Sequence, residues 1–247
     1  MNQNIILSNL HIHSRFSDGE YLPEDIAQYA VDNNIKIIGF SDHLFSFKLS
    51  IQTQQQFFLY IETIEKINKK YKEVCFLKGG ELDIEDYTPN IEQFISYLDY
   101  VNLEYIKNIK QLSYIGKILG KLNKPAFLVH TLFTNKKNPH IHALFYKKNK
   151  ELIKVLKDFN IGIELTCGYR NQLFDETTNT RINYYRLNEE LFELCKDELI
   201  PISIGTDMHD DLQEISNLND GLNFLKEKDL IFNYNISLNN LCKKYSL

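Results

Sequence analysis

A chain of 247 residues, 43% hydrophobic and 25% charged, can bury a sizeable core and fits within one α/β barrel. A formal net charge of −5 and a pI near 5.8 argue against a general nucleic-acid or anionic-membrane binder. Cys75, Cys167, Cys195 and Cys242 form no CxxC pair, which speaks against a disulfide framework or a zinc ribbon; no signal peptide is visible and no apolar run nears the roughly 20 residues of a membrane helix, so the expectation is a cytoplasmic protein.

Short apolar strands alternate with amphipathic helices along the chain. The stretch 4–12 reads as a first strand, and 23–34 as a helix opened by Pro23, with Ile26, Ala27, Ala30 and Val31 at helical spacing. A second strand follows at 35–42. A helix over 54–71 places Phe57, Phe58, Ile61, Ile64, Ile67 and Tyr71 on one face. Strands at 74–82 and 97–104, a helix at 108–123 and a strand at 125–130 come next. A helix over 142–160, a sixth strand at 161–166, a helix at 188–198, a seventh strand at 200–207 and a last helix at 211–228 complete the pattern. Seven strands alternating with helices imply parallel strands with crossover helices, in a doubly wound sheet or a closed barrel.

The polar residues gather at the strand ends. His11 and His13 close the first strand, Asp42 and His43 the second, Glu81 the third, Glu104 the fourth and His130 the fifth. Thr166 and Cys167 follow the sixth, and Asp207 and His209 the seventh. Parallel α/β folds build their sites where the carboxyl ends of the strands converge. Five of the seven histidines lie there. Imidazoles and carboxylates are the usual ligands of zinc, manganese and iron. Residues two apart on an extended backbone face the same side, as His11 does with His13 and Asp207 with His209. Asp18 follows in a turn closed by Gly19 and can fold back over them. His11, His13, Asp18, His43, Glu81, His130, Asp207 and His209 exceed the needs of one tetrahedral ion. The set therefore calls for two or three divalent metals sharing bridging carboxylates.

Taken singly, the motifs are weak. An HxH can be a polar strand end, His43 in "SDH" a satisfied core histidine, and "GGE" a turn. Their order and shared location at successive strand ends make them specific. Together "HIHSRFSDG", "FSDH", "GGE", "FLVH" and "GTDMH" resemble the pattern of the polymerase and histidinol phosphatase (PHP) family over roughly residues 7–210. That resemblance implies a distorted seven-stranded, TIM-like (β/α) barrel occupying 1–247 as a single domain. It also implies a two- or three-metal centre of Zn, Mn or Fe held by His11, His13, Asp18, His43, Glu81, His130, Asp207 and His209. Many members carry a further histidine after the fourth strand. Here "DYVNLEYI" offers Glu104 instead, either an oxygen ligand, which would favour a harder ion such as manganese, or an ordinary surface acid.

The implied chemistry is hydrolysis of a small-molecule phosphate monoester, as in a histidinol phosphatase, by a water that the metals activate. Asp207 is the candidate to orient or bridge that water, and His209 or His13, when not metal-bound, to protonate the leaving alkoxide. Arg15 and Arg170 are the candidates for a phosphate-binding guanidinium. Glu164 reads as an inward acid behind the ligands and Cys167 as a small packing residue. His140 and His142 lie in a basic stretch, 134–150, that reads as a solvated loop. The alternatives are a nucleotide or oligonucleotide phosphodiesterase, which the acidic pI disfavours, and a barrel that keeps its metals for stability alone. The oligomeric state is not legible.

Overall fold

The structure, a computed structural model, describes residues 5–46, 49–83, 91–106, 108–130, 149–169, 172–175 and 179–242. The chain opens with β1 (Ser8–Ile12), α1 (Pro23–Asp32), β2 (Ile37–Phe40), α2 (Gln54–Lys70) and β3 (Cys75–Lys78). It continues through β4 (Glu81–Asp83), α3 (Glu92–Ile95), β5 (Val101–Glu104), α4 (Ile109–Leu122) and β6 (Ala126–Leu128). Then come α5 (Asn149–Phe159), β7 (Ile161–Thr166), a hairpin of β8 (Gln172–Asp175) and β9 (Thr180–Asn183), α6 (Glu189–Asp197) and β10 (Ile202–Gly205). Two helices, α7 (Asn219–Glu227) and α8 (Ile231–Cys242), close it.

Local chemistry starts α1 and α2 where the pattern places them. Pro23 occupies the first turn of α1. In α2 the Thr53 hydroxyl accepts from Gln56 N at 3.1 Å while Gln56 Oε1 accepts from Thr53 N at 3.0 Å, a reciprocal cap. The buried face of α2 is Phe57, Tyr60, Ile61, Ile64 and Ile67. Tyr60 takes the inward place expected for Phe58, which stays 37% exposed, because i and i+3 share a face and i and i+1 do not.

The strands form two parallel sheets, ordered β1-β2-β3 and β10-β7-β6-β5-β4, plus the antiparallel β8-β9 hairpin. The seven strands expected are therefore eight parallel strands among the described residues. The extra one arises at Gly79–Gly80, where the predicted 74–82 strand divides. A Cβ on Gly79 would overlap the Tyr100 ring and the Phe40 carbonyl, so only glycine lets the backbone step from the first sheet to the second. Gly79 N still donates to Phe40 O at 2.8 Å, and Asn102 N to Gly80 O at 2.9 Å. A parallel bridge between His43 and Glu81 ties the sheets on that side, and one between Ile12 and Met208 ties β1 to the end of β10.

Other differences have plain causes. The fourth strand covers 101–104, since Tyr97 and Leu98 belong to a turn after α3. The final predicted helix is broken into a 3-10 turn, Leu212–Ser216, and α7. The sequence pattern misses α8 because its inner face carries Asn233 and Ser237, which blur the apolar period. Asn233 Nδ2 donates to Cys195 O at 2.8 Å and Ile200 O at 2.9 Å, so its burial is satisfied. The hairpin carries no strict alternation long enough to announce it. The start of the helix expected over 142–160 lies partly outside the described residues. No helix among the described residues is long and apolar enough to cross a membrane.

Candidate metal centre

The carboxyl ends of β1, β2, β5, β6 and β10 and the start of β4 bring the predicted side chains to one place. His11 and His13 project together from β1 and its extension and are fully buried. His11 Nε2 lies 3.1 Å from His13 Nε2 and 3.3 Å from both Glu81 Oε2 and Asp207 Oδ1. His13 Nε2 lies 3.1 Å from Glu81 Oε2 and 3.3 Å from Asp207 Oδ1. Ligand atoms on a tetrahedron with bonds of about 2.0–2.1 Å stand about 3.3–3.4 Å apart. The two imidazole nitrogens thus stand near that spacing from each other and from each of the two carboxylate oxygens.

Glu81 is the hub. Its Oε2 is also 3.4 Å from His43 Nδ1, and its Oε1 is 3.3 Å from His130 Nε2. His43 Nδ1 reaches Glu104 Oε1 at 3.3 Å, so the departure from the family pattern places a carboxylate inside the cluster, only 3% exposed. On the other flank Asp18 Oδ1 is 3.4 Å from His13 Nδ1, while its Oδ2 is 3.6 Å from His43 Nε2 and 3.4 Å from His209 Nε2. Four overlapping groups result: His13, Asp18, His43 and His209; His11, His130 and Asp207; His11, His13 and Glu81; His43, Glu81 and Glu104.

Backbone turns aim these groups. His130 and Asp207 both have φ of 56°, in the left-handed region that non-glycine residues seldom occupy. Asp207 N donates to His11 O at 2.8 Å and His13 N to Met208 O at 3.0 Å, pinning the two ligand pairs against each other. His209 Nδ1 donates to Asp207 O at 2.8 Å, leaving Nε2 to face Asp18.

The loop carrying Asp18 is held by Asp42. Asp42 Oδ1 accepts from Ser14 N at 2.8 Å and Ser17 Oγ at 2.7 Å, and Oδ2 accepts from Ser14 Oγ at 2.9 Å. Gly19 closes the loop where a Cβ would meet the His13 carbonyl and stand 2.7 Å from Ser14 N. Sequence reasoning set Asp42 at a strand end without a task; the serines at positions 14 and 17 are its only sequence signal.

Electrostatics fit the same use. Burial lowers the proton affinity of His11, but Glu164, Glu81 and Asp207 outweigh it and hold the imidazole well above its ordinary value. Burial likewise opposes protonation of His13 and His130, and hydrogen bonds and charge from Asp207 and Glu81 raise both. His43 is pushed up to about 10, burial being overcome by Glu81, Asp18 and Glu104. Asp18, Glu81 and Asp207 stay below the usual carboxylate range although burial opposes this, because the neighbouring imidazoles stabilise their charge. The excess of buried carboxylate draws positive charge, and divalent cations would supply it with neutral imidazoles as ligands.

Arg15 lies outside the four groups. It is exposed, with its Nε donating to Glu20 O at 2.6 Å. Arg170, His140 and His142 lie outside the described residues. Cys167 is buried against Gly221, and burial pushes its thiol up to about 12, so it packs and offers no thiolate.

Fold and site together define an α/β protein with a polydentate histidine–carboxylate centre at its strand ends. Residues 9–215 match the PHP domain, and the chain belongs to that family. Among solved structures it is similar to histidinol phosphate phosphatase from Lactococcus lactis, described as complexed with zinc, L-histidinol and phosphate. That likeness has 17% identity over 90% of this chain and 94% of that one, with a TM-score of 0.59. It is also similar to a chain from the structures of YwqE from Bacillus subtilis and CpsB from Streptococcus pneumoniae, described as metal-dependent tyrosine phosphatases (14% identity, 96% and 93% coverage, TM-score 0.58). A third likeness is to dihydroorotase from Campylobacter jejuni (16% identity, 100% and 86% coverage, TM-score 0.55). At these identities the likenesses speak to the fold. A search among curated proteins finds no match.

Proposed function

We propose that the protein is a metal-dependent phosphoesterase that hydrolyses a small-molecule phosphate monoester. The observation that carries this reading is the approach of both Glu81 Oε2 and Asp207 Oδ1 to the paired His11 Nε2 and His13 Nε2 at 3.1–3.3 Å, flanked by two further ligand groups that share Glu81 and His13. In this reading His11, His13, Glu81 and Asp207 hold one cation. Asp18, His43 and His209 would hold a second, and Glu81 with Glu104 and His130 on its two sides would provide for a third. The bridges of Ile12 with Met208 and of His43 with Glu81 support reading the two sheets as a distorted barrel of the PHP type in a single domain.

Two or three divalent ions, of zinc, manganese or iron, would polarise the phosphoryl oxygens and lower the pKa of water towards about 7. The chain's own groups do the rest. Asp207 orients the attacking water from the wall of the site. His209 has 12% of its side chain exposed, whereas His13 is sealed, so His209 Nε2, in the state in which it holds no cation, is the better placed to hand a proton to the leaving alkoxide. Arg15 and Arg170 are the candidates to balance the phosphate's charge. The substrate class agrees with the phosphate-cleaving relatives of similar fold, and histidinol phosphate and phosphotyrosine belong in the first screen.

The test is purification without chelators, elemental analysis, and turnover of an aryl phosphate with added manganese or zinc. Two or three ions per chain, with turnover abolished in His11→Ala and Asp207→Ala, is the expected result. A wild-type protein that takes up no metal after reconstitution defeats the proposal.

A further inference from the structure

Glu164, on β7, belongs to none of the four ligand groups, yet its side chain meets one of their members directly. Both of its oxygens lie 3.0 Å from His11 Nδ1, and both side chains are fully buried. Thr166 Oγ1 donates to Glu164 Oε1 at 2.6 Å, satisfying the carboxylate from its other side. A carboxylate accepts and does not donate, so the proton between the two groups sits on His11 Nδ1. The lone pair of His11 is then on Nε2, the atom that faces His13, Glu81 and Asp207.

The neighbouring strand is shaped around this pair. Gly205 of β10 pairs in register with Thr166. A Cβ at position 205 would overlap His11 Cβ and stand 2.6 Å from Glu164 Oε2. The glycine of "GTDMH" therefore leaves the space in which Glu164 and His11 meet.

We infer that Glu164 is a positioning residue: it fixes the tautomer and ring orientation of His11 for metal binding, within a notch that Gly205 keeps open. This inference rests on the metal centre proposed above. Carboxylates that orient a ligating histidine in this way change metal affinity by about 10–100-fold when removed. A carboxylate buried only for fold stability would leave affinity alone and change the melting of the metal-free chain.

The experiment uses the full chain and zinc alone, titrated against a chromophoric chelator, for wild type, Glu164→Gln, Glu164→Ala and Gly205→Ala. Expected is a loss of zinc affinity of about 10–100-fold in Glu164→Ala. Glu164→Gln keeps an acceptor for the Nδ1 proton and should fall between it and wild type. Gly205→Ala should weaken zinc binding through displacement of the pair. Nitrogen-detected imidazole spectra of the zinc form should show His11 protonated at Nδ1 in wild type. If Glu164→Ala does not fold, the isosteric Glu164→Gln carries the comparison. Wild-type affinity in both Glu164 variants, or a His11 proton on Nε2, overturns the role of Glu164 while the metal centre stands. Absence of zinc binding by the wild type overturns both.

Discussion

Metal loading at neutral pH should release protons, in a number that the cluster itself sets. His11, His13, His43 and His130 all have raised proton affinities, and His43 reaches about 10, because Glu81, Asp207, Asp18, Glu104 and Glu164 surround them. At pH 7 the metal-free site therefore carries imidazolium where a ligand must be neutral. Filling it should expel protons, that of His43 among them. Calorimetry of zinc binding in buffers of differing ionisation enthalpy reads their number directly. The release should shrink as the pH climbs towards 10, and affinity should rise over the same range. In the metal-free chain the raised value of His43 stabilises the fold below the unfolded value near 6.5, and this contribution fades as the pH rises through about 10. Zinc at about 1,000 times its Kd adds about 4 kcal/mol. For a chain of this size that corresponds to a rise in Tm of about 8–16 °C. Zinc binding with no net proton release at pH 7 would refute the reasoning, since it would mean the imidazoles were neutral amid those carboxylates.

Asp42→Ala should destabilise the chelated protein by about 3 kcal/mol or more, because two serine hydroxyls and the Ser14 amide lose a charged acceptor; denaturant titration checks this, and turnover should fall with it as Asp18 loses its support. Gly79→Ala forces a methyl into the Tyr100 ring and should cost about 1–3 kcal/mol, a drop in Tm of roughly 2–12 °C. An unchanged melting curve would remove the account given of the step between sheets. Outside the ligand groups, Asp220 accepts from Arg186 Nη2 at 2.7 Å and from Asn183 and Tyr185, and these bonds hold its carboxyl low against partial burial. Its contribution is present above the unfolded value near 4 and lost as the pH falls through the folded one. The Tm gap between wild type and Asp220→Asn should therefore be open at pH 7 and close in acid.

Much of the site was legible because strand periodicity is a short-range property. His11 and His13 share a face by being two apart, and the apolar runs before His43, Glu81, His130 and Asp207 mark where parallel strands end. The same logic could not find β8 and β9, whose pairing is their only strong signal. Nor could it find α8, where Asn233 and Ser237 are buried against carbonyls that no linear pattern reveals.

Asp42 and Asp207 show where the boundary lies. Each is an aspartate at the end of a strand, close before a histidine, and the sequence alone determined that both would reach the carboxyl-end face. Only the tertiary structure decided that they do different things. Asp207 sits in a left-handed turn bonded to His11 O and points among the imidazoles, whereas Asp42 finds three donors in the Ser14–Ser17 loop and turns towards them. The same holds for Glu164, which became the partner of His11 because Gly205, 41 residues further on, leaves room for it. A side chain's position along a strand is written in the local period. Where it points within a crowded face depends on which donors, charges and empty volumes the other strands bring to it.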